Sequence, residues 1–438
     1  MKKAVIAAGL TSLALLLSGC KLIGSNKSKY TIMVYMCGAD LESGYDGYST
    51  NVNYAGLGSA DIFEMCSASN MPKDVNIIIE TGGAKAWKNH KIDASKLQRW
   101  HIRDGALVKD ADLKYESMGK TSTFQSFLEW GLTKYPAEKT GVIMWNHGGA
   151  MQGVCFDEKA NGDGLLSSEV TAALEGAFAS TKQKSKLEWI GYDACLMQVQ
   201  DIAIANSKYF NYMVGAQESE AGEGWDYDKW LPSLYSNEST ETVLSTICDT
   251  FVASYKHKPN DQTLSVLDLN KIDAYKNAWE DLSSDIAFTV KTSQKSSFQN
   301  MMKTVKTFGS TVYSESDLYE VGLSTNPTSS YYYGHYGIVH EGNYYYDYGY
   351  NSFGTFDVKD FLNKLETNYS TLSSKITPVR TAYEDLLVHN TKGGQAGESN
   401  GLCLFFPMSD RCKPETYYSI RETSLVSWKT VTLSLGEK

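Results

Sequence analysis

The chain has 438 residues, a hydrophobic content of 42% and a formal net charge of −10 at pH 7. This length is sufficient for two or three average domains, or for one large α/β domain with an appended part. The acidic balance, without any run of lysines and arginines, argues against a nucleic-acid-binding surface, which normally carries a basic patch. We therefore expect a globular protein that does not bind nucleic acid.

The N-terminal sequence MKKAVIAAGLTSLALLLSGC has the pattern of an export signal. Two lysines precede an apolar stretch over residues 4–17, which is too short to be interpreted first as a transmembrane helix. Small residues stand before Cys20, and this arrangement resembles a bacterial lipoprotein signal, in which cleavage before the cysteine is followed by lipidation of its thiol. We expect a signal peptide over residues 1–19, a lipidated cysteine with a flexible tether over 20–29, and an exported lipoprotein anchored to a membrane of the bacterial cell envelope. The alternative is an ordinary signal peptide in which Cys20 has no role.

Short apolar runs then alternate with segments of helical periodicity. Near-continuous apolar runs are typical of strands that are buried on both faces of a sheet. The predicted strands cover residues 31–38, 75–83, 141–149, 187–195 and 212–217. Helical spacing predicts helices over 122–135 and 167–180. This alternation predicts a parallel sheet with helices on both faces.

The pattern changes in the C-terminal part of the chain. Strands are predicted over 263–269 and 401–407, and a helix over 271–308. Residues 331–350 are rich in tyrosine and glycine, which favours a surface loop or β-hairpin over a carbohydrate-binding or adhesive patch. We expect an α/β core over 30–270 and a subdomain over 271–438 that adds helices and strands.

The cysteines and histidines do not form a metal-binding pattern. Seven cysteines follow Cys20, too widely spaced for a disulfide framework or a CxxC site, and an odd number leaves at least one thiol unpaired within the chain. The histidines show no HExxH spacing. We expect neither catalytic zinc nor any required cofactor.

His147 and Cys195 each end a predicted strand. Loops at the carboxyl ends of parallel strands form the ligand crevice of an open α/β sheet, and neighbouring strands lie about 4.8 Å apart. Imidazole can take the proton of a thiol, and a thiol is only a few per cent thiolate at neutral pH. The glycines of NHGG, above all Gly148, suit a backbone N–H that stabilises an oxyanion, with the Cys195 N–H as the second donor. The alternative is a histidine that ends a strand at a plain turn.

Several short motifs, taken together, resemble the clostripain family, peptidase family C11, of the caspase-like cysteine peptidases. The motifs are TIMVYMCGADLE, NHGG around His147, GYDACLM around Cys195, AQESEAGEGWDY, and GLCLFFP near the end. The resemblance implies an α/β fold with a caspase-like, mostly parallel sheet flanked by helices, an α/β/α sandwich with a smaller C-terminal subdomain. It also implies a cysteine endopeptidase that acts on protein or peptide substrates through a His-Cys dyad.

Asp193 stands two positions before Cys195, where caspases have glutamine, so caspase-type specificity for aspartate is not expected. Residues i and i+2 of a strand share a face, which predicts that Asp193 lies beside the nucleophile and attracts a basic P1 side chain. The resemblance implies the same preference for Arg or Lys. The glycine-rich loop that follows offers further carboxylates, Glu218, Glu220, Glu223 and Asp226, and the sequence does not decide which of them reaches the substrate; Asp226 and Glu223 are taken as the candidates for substrate binding. The alternative is an aspartate that only caps a backbone N–H.

The stretch DEKANGDG, residues 157–164, carries two further expectations. Its composition is typical of an exposed segment, and the resemblance implies self-cleavage between histidine and cysteine, for which Lys159 is the candidate. Calcium binding is possible there, although the spacing is not that of an EF-hand. The alternative to an enzyme is a non-catalytic surface lipoprotein of the same fold that binds protein or glycan.

Overall fold

The computed structural model describes residues 27–44, 55–68, 71–235, 238–254, 261–290, 292–309, 338–340, 343–345, 353–408 and 424–436. The predicted signal peptide and Cys20 lie outside these ranges. None of the helices in the described part of the chain combines the length and the apolar character needed to cross a bilayer.

Strands from both halves of the chain form one large central sheet. Within the described ranges the strands are β1 (Ser28–Cys37), β2 (Val75–Gly82), β3 (Lys96–Arg103), β4 (Ala106–Lys114), β5 (Ala137–Trp145), β6 (Val154–Asp157), β7 (Asp163–Leu165), β8 (Leu187–Asp193), β9 (Phe210–Gly215), β10 (Thr263–Asp268), β11 (Ile338–His340), β12 (Asn343–Tyr345), β13 (Thr355–Asp357), β14 (Leu387–Lys392) and β15 (Cys403–Phe405). The order across the large sheet is β14-β10-β9-β8-β5-β1-β2-β3-β4. The strands from β9 to β2 in this order run parallel, and antiparallel strands complete both edges.

Helices cover both faces of this sheet. Over the described residues they are α1 (Ala39–Ser43), α2 (Leu57–Ser67), α3 (Thr121–Lys134), α4 (Ser167–Thr181), α5 (Gln200–Asn206), α6 (Tyr227–Tyr235), α7 (Thr240–Ala253), α8 (Ile272–Thr289), α9 (Lys295–Met302), α10 (Val358–Asn368), α11 (Ser373–Leu386) and α12 (Val426–Leu435). Alternate residues of β1 enter two separate cores: Met33 and Tyr35 pack with α3 and α4, whereas Ile32 and Val34 pack with α2, α6 and α7. A strand buried on both faces needs apolar residues at every position, which explains the near-continuous apolar run.

The mostly parallel α/β sandwich confirms the predicted fold class, and the predicted strands and helices of the first half are present within a few residues. Two details differ. Residues 96–114 form an antiparallel hairpin, β3 and β4, that the apolar-run criterion does not identify because its outer strand is mostly exposed. The single helix predicted over 271–308 is two helices, α8 and α9, because the chain leaves the helical conformation at Val290.

The C-terminal part completes the large sheet. β14 pairs with β10 at one edge, and α8 to α12 share one hydrophobic core with α3 and α4. A buried network joins the two parts, because the Gln217 amide donates to Asp357 at 3.1 Å and accepts from the Gly401 N–H at 2.5 Å. The predicted strand 401–407 is β15, which pairs with β13 and not with the large sheet. Within the tyrosine-rich segment, β11 and β12 form the expected antiparallel hairpin, and the rest of 331–350 lies outside the described residues.

Candidate active site

The candidate dyad follows directly from the pairing of β5 with β8. These strands are parallel neighbours, and the last residues of each, Trp145 and Asp193, stand opposite one another. His147 and Cys195 each follow two residues later. The strand-end prediction is therefore confirmed for the strands and their register, which direct both loops to the same edge of the sheet.

Gly148 packs closely against the loop that carries the cysteine. A Cβ atom at this position would come within 2.2 Å of the Cys195 carbonyl oxygen, which is backbone and cannot turn away. The missing side chain thus allows the two loops to touch. The Gly148 N–H faces the Cys195 sulfur and opposes the increase in the pKa of that thiol, and its role as an oxyanion donor stays a prediction.

His147 has a carboxylate partner that the sequence analysis did not identify. Its Nε2 lies 2.9 Å from Oδ1 of Asp40, and both side chains are partly buried. Burial lowers the pKa of His147, but the charge and hydrogen bond of Asp40 outweigh burial and raise the pKa above its ordinary value. Asp40 follows β1, which pairs with β5 on the other side, so the rule that strand ends meet at one edge also applies to it.

The Cys195 thiol is covered in this structure. It is 9% exposed, and the Glu220 N–H donates to its sulfur at 3.2 Å. Burial, and then the charge of Glu220, raise the pKa of the Cys195 thiol to about 12. The next residue, Leu196, has a left-handed backbone with a φ of 66° and donates its N–H to the carbonyl of Glu218 at 3.2 Å. Cys195 therefore carries a neutral thiol beneath the chain segment 218–220.

Asp193 is the last residue of β8 and its side chain is buried. The Tyr227 hydroxyl donates to its Oδ2 at 2.8 Å, and the Trp225 N–H donates at 3.4 Å. Burial raises the pKa of Asp193, and these hydrogen bonds oppose the increase. Because the strand ends here, the alternation of strand side chains does not extend to Cys195. What connects the two residues is Glu220, which contacts both.

A second buried aspartate lies near Asp193. A Cβ atom at Gly224 would lie 3.1 Å from Oδ1 of Asp193 and 3.1 Å from Oδ2 of Asp61, so both carboxyls approach this glycine. Asp61 is buried on α2, and its Oδ2 accepts a hydrogen bond from the Trp145 indole at 2.6 Å. The sequence analysis missed Asp61, and the helix periodicity of α2 carries no signal for it.

The other candidate substrate-binding residues lie further along the loop. Glu223 is partly exposed. Asp226 is buried, and its carboxylate lies within 4.8 Å of those of Glu64 and Asp228. Both assignments stay predictions.

Lys159 lies in a short, partly buried turn between β6 and β7. Its ammonium lies 3.9 Å from the centre of the Tyr115 ring and donates to the carbonyl of Ala94. The Asp157 carboxylate accepts from the N–H groups of Lys159 and Met118 and from the Tyr115 hydroxyl. The Asp157 carboxylate thus accepts hydrogen bonds from other parts of the chain. Calcium binding at this stretch stays a prediction.

The expected presence of unpaired thiols is confirmed for the described residues. Six described cysteines are free, and Cys412 lies outside the described ranges.

The pairing of His147 with Asp40 leads to a testable prediction. In Asp40→Asn the pKa of His147 should fall, because burial of the ring persists while the opposing negative charge is lost. Titration of the imidazole signals by NMR measures this shift. Asp249→Asn is the matched control, because it removes the carboxylate 2.7 Å from the surface residue His389 and should leave His147 unchanged.

The same variant should change stability in a pH-dependent way. A raised histidine pKa stabilises the fold below the ordinary value of about 6.5, and this contribution is lost as pH rises through the raised value. Asp40→Asn should therefore lower the free energy of unfolding more at about pH 5.5 than at about pH 8.5. An unchanged His147 pKa would show that Asp40 does not act on the ring.

Comparison with known proteins is consistent with this arrangement. Residues 34–381 match the model of the clostripain family, Peptidase_C11. The chain is 22% identical to clostripain of Hathewaya histolytica over 467 residues, which covers 92% of this chain and 79% of that protein.

Two solved structures have the same fold. One is the secreted C11 cysteine protease "iotapain" of Bacteroides thetaiotaomicron, with 15% identity, a TM-score of 0.58, and coverage of 93% of this chain and 99% of that one. The other is a secreted C11 cysteine protease from the same organism in complex with an irreversible peptide inhibitor, with 14% identity, a TM-score of 0.57, and coverage of 92% and 98%. At these identities the likeness shows the fold alone, whereas the family model spans most of the sequence. The chain belongs to the clostripain family of cysteine peptidases.

Proposed function

We propose that this peptidase is an exported, lipid-anchored endopeptidase that hydrolyses peptide bonds after Arg or Lys by means of the dyad His147 and Cys195. The observation that carries the proposal is the pairing of Trp145 with Asp193, which brings the loops of the two dyad residues to one edge of the sheet. The buried carboxyls of Asp193 and Asp61 beneath this edge support a basic P1 side chain.

Catalysis begins with the attack of the Cys195 sulfur on the carbonyl carbon of the scissile bond. The thiol proton passes to the imidazole of His147 as the sulfur attacks, and the negative charge on the carbonyl oxygen is stabilised by the N–H groups of Gly148 and Cys195. With Nε2 held by Asp40, Nδ1 of His147 is the nitrogen that delivers a proton to the departing amine. Water then hydrolyses the thioester and regenerates the thiol.

The dyad assignment predicts the effect of two substitutions. Cys195→Ala should abolish cleavage of a fluorogenic peptide with lysine at P1, and His147→Ala should lower kcat by about two to four orders of magnitude, the usual range for general acid–base assistance. Both proteins should keep the circular dichroism spectrum of the wild type. Wild-type activity in folded Cys195→Ala would refute the assignment.

The specificity assignment predicts an effect that depends on the P1 residue. Asp193→Asn should lower kcat/KM for Arg and Lys substrates by about one to two orders of magnitude, because a charge-assisted hydrogen bond is worth about 1.5–3 kcal/mol. Alkylation of Cys195 by iodoacetamide, which is small and uncharged, should change much less. Equal losses in both measurements would mean that Asp193 supports the structure of the site and does not select the substrate.

Self-cleavage after Lys159 is part of the proposal, because the residue lies between His147 and Cys195 in the sequence and is basic. The cut requires the turn to leave the contacts of Lys159 with Tyr115 and Ala94. After cleavage β5 and β8 would belong to different fragments yet remain paired in the sheet.

Mass spectrometry of the purified protein measures this cleavage. The wild type should acquire a new N-terminus at Ala160, whereas Cys195→Ala and Lys159→Ala should remain single chains. Lys182→Ala is the matched control, because Lys182 also lies between the dyad residues and is exposed at the end of α4. An intact single chain with full activity would exclude any requirement for the cut.

Export and anchoring through Cys20 are supported by the N-terminal sequence, and the two structural relatives are described as secreted. Membrane fractionation of Cys20→Ser tests the anchor, since this variant should move to the soluble fraction. If the variant stayed in the membrane fraction, the lipid would not be the anchor.

A further inference from the structure

The chain segment 218–220 lies between Cys195 and the buried carboxyls of Asp193 and Asp61. On one side its backbone lies over Cys195, whose sulfur is 3.2 Å from the nitrogen and 3.7 Å from the carbonyl oxygen of Glu220. The segment is fixed at its ends, because Gly309 donates its N–H to the carboxylate of Glu218 at 2.9 Å and Ala221 donates its N–H to Gln262 at 2.8 Å. The position of Glu220 is therefore determined by the fold.

The side chain of Glu220 points away from solvent. Both carboxyl oxygens are buried and have no hydrogen-bond partner among the described residues, and the carboxyl lies next to that of Asp193. Two carboxyls in contact and shielded from water cannot both be ionised without a large electrostatic cost. The contact therefore requires a proton between Glu220 and Asp193, or a cation beside them.

The surroundings of this pair are acidic. The titratable groups that face it from the neighbouring elements are Asp61 and Glu64 of α2, Tyr227 of α6, Cys248 of α7, and Cys195 and Glu218 of the adjoining loops. Burial, and then the neighbouring Asp193, raise the pKa of Glu220 well above its ordinary value. When these groups ionise, they add negative charge around Glu220 and Asp193. The two carboxyls therefore keep a proton to a higher pH.

We propose that Glu220 is a specificity-determining residue. In the resting enzyme its carboxyl occupies the S1 subsite as the neutral acid. Once ionised, it becomes a second ligand of a basic P1 side chain. This inference rests on the proposed preference for Arg and Lys. When an ammonium or guanidinium enters, the proton shared by Glu220 and Asp193 leaves to solvent, and the two carboxylates face the cation. A neutral P1 side chain has no positive charge that could replace the proton between the two carboxyls. It must therefore displace the buried acid of Glu220 without forming an ionic contact.

The same exchange links recognition to exposure of the nucleophile. The backbone of Glu220 covers the Cys195 sulfur, so a side chain that repositions Glu220 also alters the cover.

Proton release on binding of a small cation tests the proposal. The probe is benzamidine, a P1-like amidinium without a scissile bond, and its neutral counterpart is benzamide. Calorimetric titration of the wild-type enzyme at about pH 6, in two buffers of different ionisation enthalpy, counts the protons released. An ordinary carboxyl, with a pKa of about 4, has almost no proton to release at this pH. We expect release of up to about one proton with benzamidine, and no binding of benzamide.

Substitution of single carboxyl groups shows which of them releases the proton when benzamidine binds. Glu220→Gln should bind benzamidine about ten- to a hundredfold more weakly and release fewer protons. Glu175→Gln is the control, because this carboxylate is exposed on α4 in an ion pair with Lys208 at 3.2 Å, and it should release protons as the wild type does. Since the wild-type titration counts the protons without any substitution, the proposal is tested even where a variant does not fold.

The outcomes separate this inference from the proposed function. Benzamidine binding without proton release in the wild type, or wild-type affinity and proton release in Glu220→Gln, would overturn the role of Glu220. If Asp193→Asn still lost benzamidine binding, the preference for basic P1 residues would stand. Equal binding of benzamidine and benzamide to the wild type would overturn both.

Discussion

The parallel pairing of β5 with β8 is the constraint on which the catalytic arrangement depends. It fixes Trp145 opposite Asp193 and so determines which loops meet beyond the strand ends. A shift of one residue would exchange the faces of every side chain on the shifted strand. Both strands are buried on both faces, so such a shift would move Trp189 and Ile190 into cores with different neighbours. The hydrophobic packing of the sheet thereby also protects the geometry of the site.

Three aspartates that follow or border the sheet have different tasks because their surroundings differ. Asp40 is partly exposed and paired with an imidazole, and both features stabilise its negative charge. Asp193 and Asp61 are buried and approach one another, so their charges add. Burial of like charges destabilises the fold unless an opposite charge is supplied, and under the proposed specificity that charge comes from the substrate.

The sequence predicts the layers of the fold well because apolar runs and helical spacing report burial directly. It also places His147, Gly148 and Cys195 at one edge of the sheet, since the strand-end rule needs only the ends of two buried strands. The same rule would have found Asp40, three residues after β1, had it been applied to every parallel strand. It could not identify Asp61, which lies on helix α2 and not at the end of a strand. The packing of a helix against a distant strand leaves no local pattern in the sequence. Nor could it distinguish Glu220 from the other carboxylates of its loop, since only the tertiary contacts bury one of them.

The left-handed backbone of Leu196 has an energetic consequence for the movement of the neighbouring chain. A residue with a Cβ atom in this conformation is strained by about 1 kcal/mol or more, and such strain persists only while surrounding contacts outweigh it. One of those contacts is the hydrogen bond from Leu196 to the carbonyl of Glu218. When that bond breaks, the backbone is released to relax to an ordinary conformation, and the energy returned offsets part of the cost of the lost contact. The covered form is thus under tension at the residue next to the nucleophile, and uncovering it requires less work than its contacts alone would suggest.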